Sequence, residues 1–230
     1  MAPSARDSFT PGAFVDVVVS YVEGPRKIFV QPLSLAQDLR TMSKRLHVLY
    51  TSMLAESDYS MTLDHLAMAM RPDSICWCAA PFIIETQEYR QLPPYYYRAA
   101  ILERSGPSTV KVFFVDYGNT SAVPIASLKV LPPSYQEIPF MAVPCRLVEG
   151  ENGETNLIDA ECLRSVVDGF HVVVHVSPDH PIPQYQGLPH VADPLWVSLY
   201  VTDGKDEANV GETLLCSQDA HQQAGVGNAH

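Results

Sequence analysis

The sequence predicts a mainly β protein with helices, of the α+β class, in which a small barrel is inserted between two halves of a second unit. Three observations carry this reading. Short β-branched and aromatic runs, bounded by Pro, Gly, Ser and Asn, fill residues 74–134. Mixed strand and helix patterns lie on both sides of them. One long amphipathic stripe joins the first flank to the middle.

Taken in order, residues 1–11 are small and polar and are expected to be a disordered tail. Residues 12–73 form the first flank. It opens with "AFVDVVVSYVEGPRKIFVQP", two strand-like runs around "EGPR", which predicts a hairpin. Leu35, Leu39, Met42, Leu46, Leu49 and Met53 then recur at steps of four and three, the stripe of a helix with one buried face. A shorter helix, "TLDHLAMAM", is expected before "RPDS" breaks it. In residues 74–134, "SICWCAAPF", "PYYYRAAILE", "TVKVFFVDYG" and "TSAVPIASLKVL" read as barrel strands, with "IIETQEYRQLPP" as a longer connection after the first. Residues 135–219 return to mixed structure. "FMAVPCRLVEG" is expected as strand, "EGENGETN" as an acidic loop, "LIDAECLRSVV" as helix, "FHVVVHVS" and "PLWVSLYVTDG" as strands, and "NVGETLLCSQDA" as a closing helix. Residues 220–230 are expected to be a second disordered tail.

Composition narrows the function. The 230 residues are 47% hydrophobic and 18% charged, as in ordinary globular proteins. No stretch reaches the length of a membrane span, and "MAPSARDSFTPG" lacks the apolar core of a signal peptide, so a soluble intracellular protein is expected. The net charge of −11 is the reverse of the basic footprint that phosphate backbones require, and it favours a cationic partner over direct nucleic-acid binding. Five cysteines without a CxxC pair signal neither a disulfide framework nor a zinc site. Cys76 and Cys78, two apart on a strand, are expected on one buried face.

No phosphate loop, dinucleotide fingerprint, nucleophile elbow or HExxH motif occurs. His171 and His175 on a strand would stand about 13 Å apart, too far to share one ion. The carboxylates fall mostly in solvated runs such as "EGENGE" and "DGKDE". No catalytic residue, metal ligand or cofactor is therefore assigned.

The aromatic residues of the middle barrel stand apart. On a strand, Tyr95 and Tyr97 share a face and Tyr96 takes the other, while Val112, Phe114 and Asp116 share a face of the "VFFVDYG" run. Strict alternation sets Tyr117 opposite Phe114. A bend between Asp116 and Asn119, where Gly118 makes unusual backbone angles cheap, would bring both rings together. Converging rings attract a soft cation such as a methylated guanidinium, and an amide beside them would orient it. A barrel whose rings are simply core remains open as the alternative. Val112, Phe113 and Val115 are assigned to barrel packing.

"YYRAAI" followed by "KVFFVDYGNTSAVPIASLKVLP" resembles the Tudor domain, in particular its extended form, and the resemblance takes in residues 12–219. It implies a Tudor barrel of the five-stranded type inserted into a split staphylococcal-nuclease-like OB unit joined by a long helix. It also implies an aromatic cage for symmetric dimethylarginine. Position by position, the cage rings would be Phe82, Tyr97, Phe114 and Tyr117, with Asn119 as the orienting amide. Tyr89 or Tyr96 could take the place of a ring, because the connection after Phe82 is long. Arg98 and Asp116 would form a structural ion pair that braces the bend. The implied partners are arginine-glycine or arginine-alanine rich tails of PIWI-type or RNA-helicase proteins, and the implied place is cytoplasmic, in perinuclear germ granules. Two other readings stay open: RNA binding or cleavage by the nuclease-like unit, and a degenerate module that holds partners without reading methylation.

Overall fold

In the computed structural model the described residues are 5–52, 59–62, 75–82, 95–148, 158–168, 171–183, 187–202 and 207–211. The expected hairpin is strands β1 (Phe14–Gly24) and β2 (Lys27–Pro32), followed by helix α1 (Ala36–Thr51). The middle of the chain gives β3 (Cys76–Phe82), β4 (Tyr95–Arg104), β5 (Thr109–Phe114) and β6 (Thr120–Pro124). A short helix α2 (Pro133–Gln136) leads to β7 (Val143–Leu147), helix α3 (Ala160–Val167), β8 (His171–Val176), β9 (Leu195–Thr202) and β10 (Glu207–Asn209).

The strands outside the middle segment close into a ring. β1 pairs antiparallel with β2 and with β8, β2 with β7, and β8 with β9, while β7 and β9 complete the circuit as a parallel pair. β10 pairs with residues 200–202 of β9, beyond β7 and on the side opposite β8. Alternating Val, Ile and Leu side chains fill the interior, among them Ile28, Val30, Val174, Val197 and Leu199. Helix α3 turns Leu163 and Val167 into the same core, and its first turn is capped by Asp159, whose carboxylate accepts from the Glu161 and Cys162 amides at 3.0 and 3.4 Å.

The middle strands form an antiparallel meander in the order β3-β4-β5-β6. Lys129, just beyond β6, returns to the first strand: its amide donates to the Ala79 carbonyl at 2.9 Å and its carbonyl accepts from the Ala79 amide at 2.8 Å. Inside lie Cys76, Cys78, Ile101, Val112 and Phe114, so the two thiols do share a buried face. Burial pushes the Cys76 thiol up to about 11 and the Cys145 thiol up to about 12, which keeps both protonated and inert near neutral pH. Helix α1 lies across β4 and buries Leu39, Met42, Leu46 and Tyr50 against Ala79, Leu131 and Met141. Tyr50 continues the stripe in place of Leu49, which is only half-buried, and its hydroxyl donates to the Val130 carbonyl at 2.9 Å.

Several expectations are corrected. Residues 5–9 are not a free tail: Ala5–Ser8 form a 3-10 turn, and Ala5 and Phe9 are buried in the core of the ring, because Phe9 is a large apolar ring that the core can take up. Phe113 and Val115 do not fill the middle barrel. They pack with Phe29 and Ala142 in the seam between the two barrels. The strand expected from Phe140 starts only at Val143, since the Met141 amide is committed to the Asp116 carboxylate at 3.2 Å. Glu207–Asn209 is strand β10, so Asn209, expected to open the closing helix, is strand instead, and of that helix only Asn209, Val210 and Gly211 fall within the described residues. The expectations for "TLDHLAMAM" beyond Thr62, for "IIETQEYRQLPP", the acidic loop, Met53, Tyr89 and the last residues lie outside the described residues. His171 pairs with Asp16 at 2.9 Å and His175 stacks on Phe14 at 4.3 Å. Among the described residues no helix is long and apolar enough to cross a membrane, and no group of His, Cys, Asp and Glu could hold a metal ion.

Candidate functional site

The site begins where β5 ends. After Phe114 the chain leaves the strand, and the amides of Tyr117 and Gly118 both donate to the Phe114 carbonyl, at 3.0 and 2.8 Å. The Phe114 amide in turn donates to the Asn119 carbonyl at 3.0 Å, so the turn is closed on itself. Gly118 sits at φ +93°, in the left-handed region that a side chain disfavours. This is the bend that alternation required. It returns Tyr117 to the side of Phe114.

Strand register brings the remaining rings to the same end. Ala80 on β3 faces Tyr97 on β4, and Ala99 faces Phe114 on β5. Phe82, two residues beyond Ala80, therefore reaches the Tyr97 and Phe114 rings. The Phe82 and Phe114 centroids are 5.5 Å apart and their planes meet at 88°. Phe82 and Tyr97 are 6.4 Å apart at 85°, and Tyr97 and Phe114 are 6.3 Å apart at 88°. Tyr117 closes on Tyr97 at 5.1 Å and 82°. The four planes are walls of a box, with Phe114 buried as its floor and Phe82 exposed at its rim.

The box is a cavity of about 340 Å³ lined by Phe82, Tyr97, Phe114, Tyr117 and Asn119, together with Ser20 and Tyr21 of β1. All five residues that the sequence nominates for binding thus meet in one cavity. Tyr96 does not join them. It points away and packs on Tyr50 at 5.1 Å, while Tyr95 stacks on His47 at 4.1 Å.

Arg98 and Asp116 are buried beneath the turn, at 0% and 1% exposure. The guanidinium grips the carboxylate in a fork, Nε to Oδ2 at 2.9 Å and Nη2 to Oδ1 at 2.5 Å. Its other N–H groups donate to the carbonyls of Tyr135 (2.8 Å), Ile138 (2.6 Å) and Pro139 (2.9 Å). Every guanidinium donor is therefore used.

The outer ring holds the turn from the opposite side. Ser20 donates its hydroxyl hydrogen to the Tyr117 carbonyl at 2.8 Å, and the Gln31 side chain donates to the Asp116 carbonyl. Gly118 presses on the Phe29 ring so closely that an added Cβ would lie 2.1 Å from Cγ. Ser20, Tyr21, Phe29 and Gln31 escaped the sequence reading. They belong to a hairpin some ninety residues upstream, and no periodicity or motif announces so distant a contact.

Burial pushes the Tyr117 phenol up to about 12, with Tyr97 and Asp116 adding to the rise and a hydrogen bond to Ser43 opposing it. Burial, and then Tyr95, raises the Tyr97 phenol as well. Both rings stay neutral through the physiological range. The box therefore offers π faces and an amide, not a fixed negative charge.

The class defined by this fold and site is a small-barrel binding module with an aromatic box, set into a second barrel. Residues 94–149 match the model of the Tudor domain. Mouse Tudor domain-containing protein 1 is 38% identical over 86 residues, which are 36% of this chain and 7% of that protein. The extended Tudor domain TD3 of mouse TDRD1, solved in complex with a MILI peptide containing dimethylarginine, matches with a TM-score of 0.66 at 20% identity, over 91% of this chain and 93% of that one. The extended Tudor domain of Drosophila melanogaster Papi, solved with a Piwi N-terminal peptide, matches with a TM-score of 0.69 at 18% identity, over 90% and 97% of the two chains. Residues 94–149 are a Tudor domain, and the chain has the extended Tudor fold. It spans only a small part, 5% to 11%, of the curated relatives it matches.

Proposed function

We propose that this chain is a non-catalytic reader of symmetric dimethylarginine in arginine-containing peptide tails. The observation that carries the reading is the meeting of Phe82, Tyr97, Phe114 and Tyr117 with Asn119 in one 340 Å³ cavity. A dimethylated guanidinium is flat, cationic and poorly hydrated, so it gains from π faces that a hydrated ammonium or water would not reward. The Asn119 side chain makes no hydrogen bond to another described residue and is available to orient a guanidinium N–H. In this reading Arg98 and Asp116 are support and do not touch the ligand. The reader barrel is residues 74–134, and residues 12–73 and 135–219 form a split nuclease-like OB unit around it. Its role is that of a scaffold recruiting a PIWI-type or RNA-helicase partner in the piRNA pathway of germ cells, in perinuclear granules. The net charge of −11 favours approach of a cationic side chain such as a methylated guanidinium.

Each ring contributes about 0.5–2 kcal/mol through cation–π contact, against several kcal/mol lost on association, so micromolar binding is expected. Calorimetric titration with one acetylated arginine-glycine peptide, unmodified and symmetrically dimethylated, tests the reading. The methylated form is expected to bind more tightly, and Asn119→Ala or Phe82→Ala to weaken it about 3- to 30-fold with an unchanged melting temperature. Equal affinity for the two forms would falsify the reading.

The raised phenol pKa values give a second expectation. Because the Tyr97 and Tyr117 phenols are raised and lose their protons only in the strongly alkaline range, the affinity of the acetylated methylated peptide is expected to be flat between pH 7 and pH 9. A rise in affinity over that interval would show a phenolate forming in the box.

A further inference from the structure

On the side of α1 the box is bordered by Tyr97 and Tyr117. Tyr97 and Tyr117 also border a second, larger cavity of about 930 Å³ that runs along this helix, bounded by Val18 and Gln31 of the outer ring and by Tyr95. Ser43 of α1 lies 3.5 Å from the Tyr117 hydroxyl, at the junction of the two cavities.

The character of this groove is the reverse of the chain as a whole. Arg40, Lys44 and Arg45 line it, all three are exposed, and none makes an ion pair with another described residue. Arg40 and Lys44 are four residues apart on one helix face, so their charges are neighbours. The only carboxylate on α1, Asp38, does not line this groove but a separate depression with Arg45 and Met42. A local cluster of cations thus stands beside the aromatic box of a chain whose net charge is −11. Apolar surface lies among these charges: Val48 is 63% exposed, and Val18 and Tyr95 are each 44% exposed.

We propose that the ligand segment that leaves the box along α1 carries carboxylates interspersed with aliphatic residues, so that this chain selects a methylarginine flanked by acidic sequence over one set in a run of arginines. The inference rests on the reader role proposed above. A guanidinium in the box leaves the next few residues of the same peptide no route along this groove except past Arg40 and Lys44. Carboxylates there meet two uncompensated cations, whereas arginines meet like charge. Val18 and Val48 accept the aliphatic side chains between them. Three cations within apolar surface suit a peptide better than a nucleic-acid backbone, which calls for a longer basic track.

The test uses acetylated and amidated peptides of equal length built around one symmetric dimethylarginine. Residues on one side of it, and then on the other, are glycine-serine, aspartate-valine or arginine-glycine. With the acidic flank on one of the two sides, binding is expected to be about 3- to 30-fold tighter than with the neutral flank, and the advantage to shrink in about 0.5 M salt, where the Debye length falls to about 4 Å. In the R40E/K44E variant the order is expected to invert, with the arginine flank preferred. Equal affinity of acidic and neutral flanks on both sides, with methylation still required, overturns this inference and leaves the reader role standing. If methylated and unmethylated peptides bind equally in every series, the reader role falls and this inference with it. Displacement of the acidic peptide by single-stranded oligouridylate at matched charge would assign the groove to a phosphate backbone and overturn the inference as well.

Discussion

Asp116→Ala is expected to lower the unfolding free energy by about 3–5 kcal/mol and to abolish peptide binding, the loss typical of a buried ion pair that keeps one partner. The carboxylate is 1% exposed and, among the described residues, is the only anion paired with a guanidinium that is itself 0% exposed. Without it, Arg98 retains the carbonyls of Tyr135, Ile138 and Pro139, which solvate its N–H groups but do not neutralise its charge. The Met141 amide loses its acceptor at the same time. Arg98→Met leaves the opposite charge buried and is expected to be comparably costly. In the double variant no charge is stranded, so its cost is expected to fall below the sum of the two single costs. Urea denaturation of the four proteins measures the coupling. Additive costs would mean that the two side chains brace the turn independently.

Gly118→Ala is expected to be the next most damaging change, at roughly 2–5 kcal/mol, through left-handed strain and overpacking together. At φ +93° the new Cβ would lie 2.1 Å from Cγ and 2.4 Å from Cβ of Phe29. Phe29 has no room to withdraw, because it is fully buried and packs on Phe113 at 5.9 Å. The turn itself must move, and Tyr117 and Asn119 move with it. Peptide affinity is therefore expected to fall more than 10-fold even at temperatures where the variant stays folded, which titration at 10 °C would show. Gly24→Ala is the control: nothing lies within 4 Å of its added Cβ, and little change is expected. Retained affinity in Gly118→Ala would show that the box does not depend on the shape of this turn.

What the sequence reveals is local. The β1–β2 hairpin, the stripe of α1 and the strands of the middle barrel follow from periodicity and turn residues within a few positions of one another. The convergence of Phe114 and Tyr117 is legible for the same reason, since both rings and Gly118 lie in one run of five residues. Phe82 could be placed only through the family resemblance, because it reaches the box through a strand register that sequence does not print. Phe113 and Val115 looked like barrel interior because alternation marks which residues are buried and not which of two cores receives them. Phe9 shows the same limit from the other side. A single apolar ring in a polar segment has no period, so nothing local separates it from a tail.

The ring of the outer barrel is assembled from both ends of the chain. Ile28 on β2 pairs with Cys145 on β7, and Val17 on β1 pairs with Val172 on β8. During synthesis the first hairpin therefore emerges with both of its edges vacant and must wait for more than a hundred further residues before it can be enclosed. The meander β3-β4-β5-β6 lies wholly within that interval and closes by contacts among neighbours in sequence. By taking up the intervening chain into a folded unit with its ends near one another, it shortens the loop that the ring must close and reduces the entropy lost in closing it. The same barrel that carries the aromatic box thus serves, at an earlier moment in the life of the molecule, as the splint on which its surrounding ring is joined.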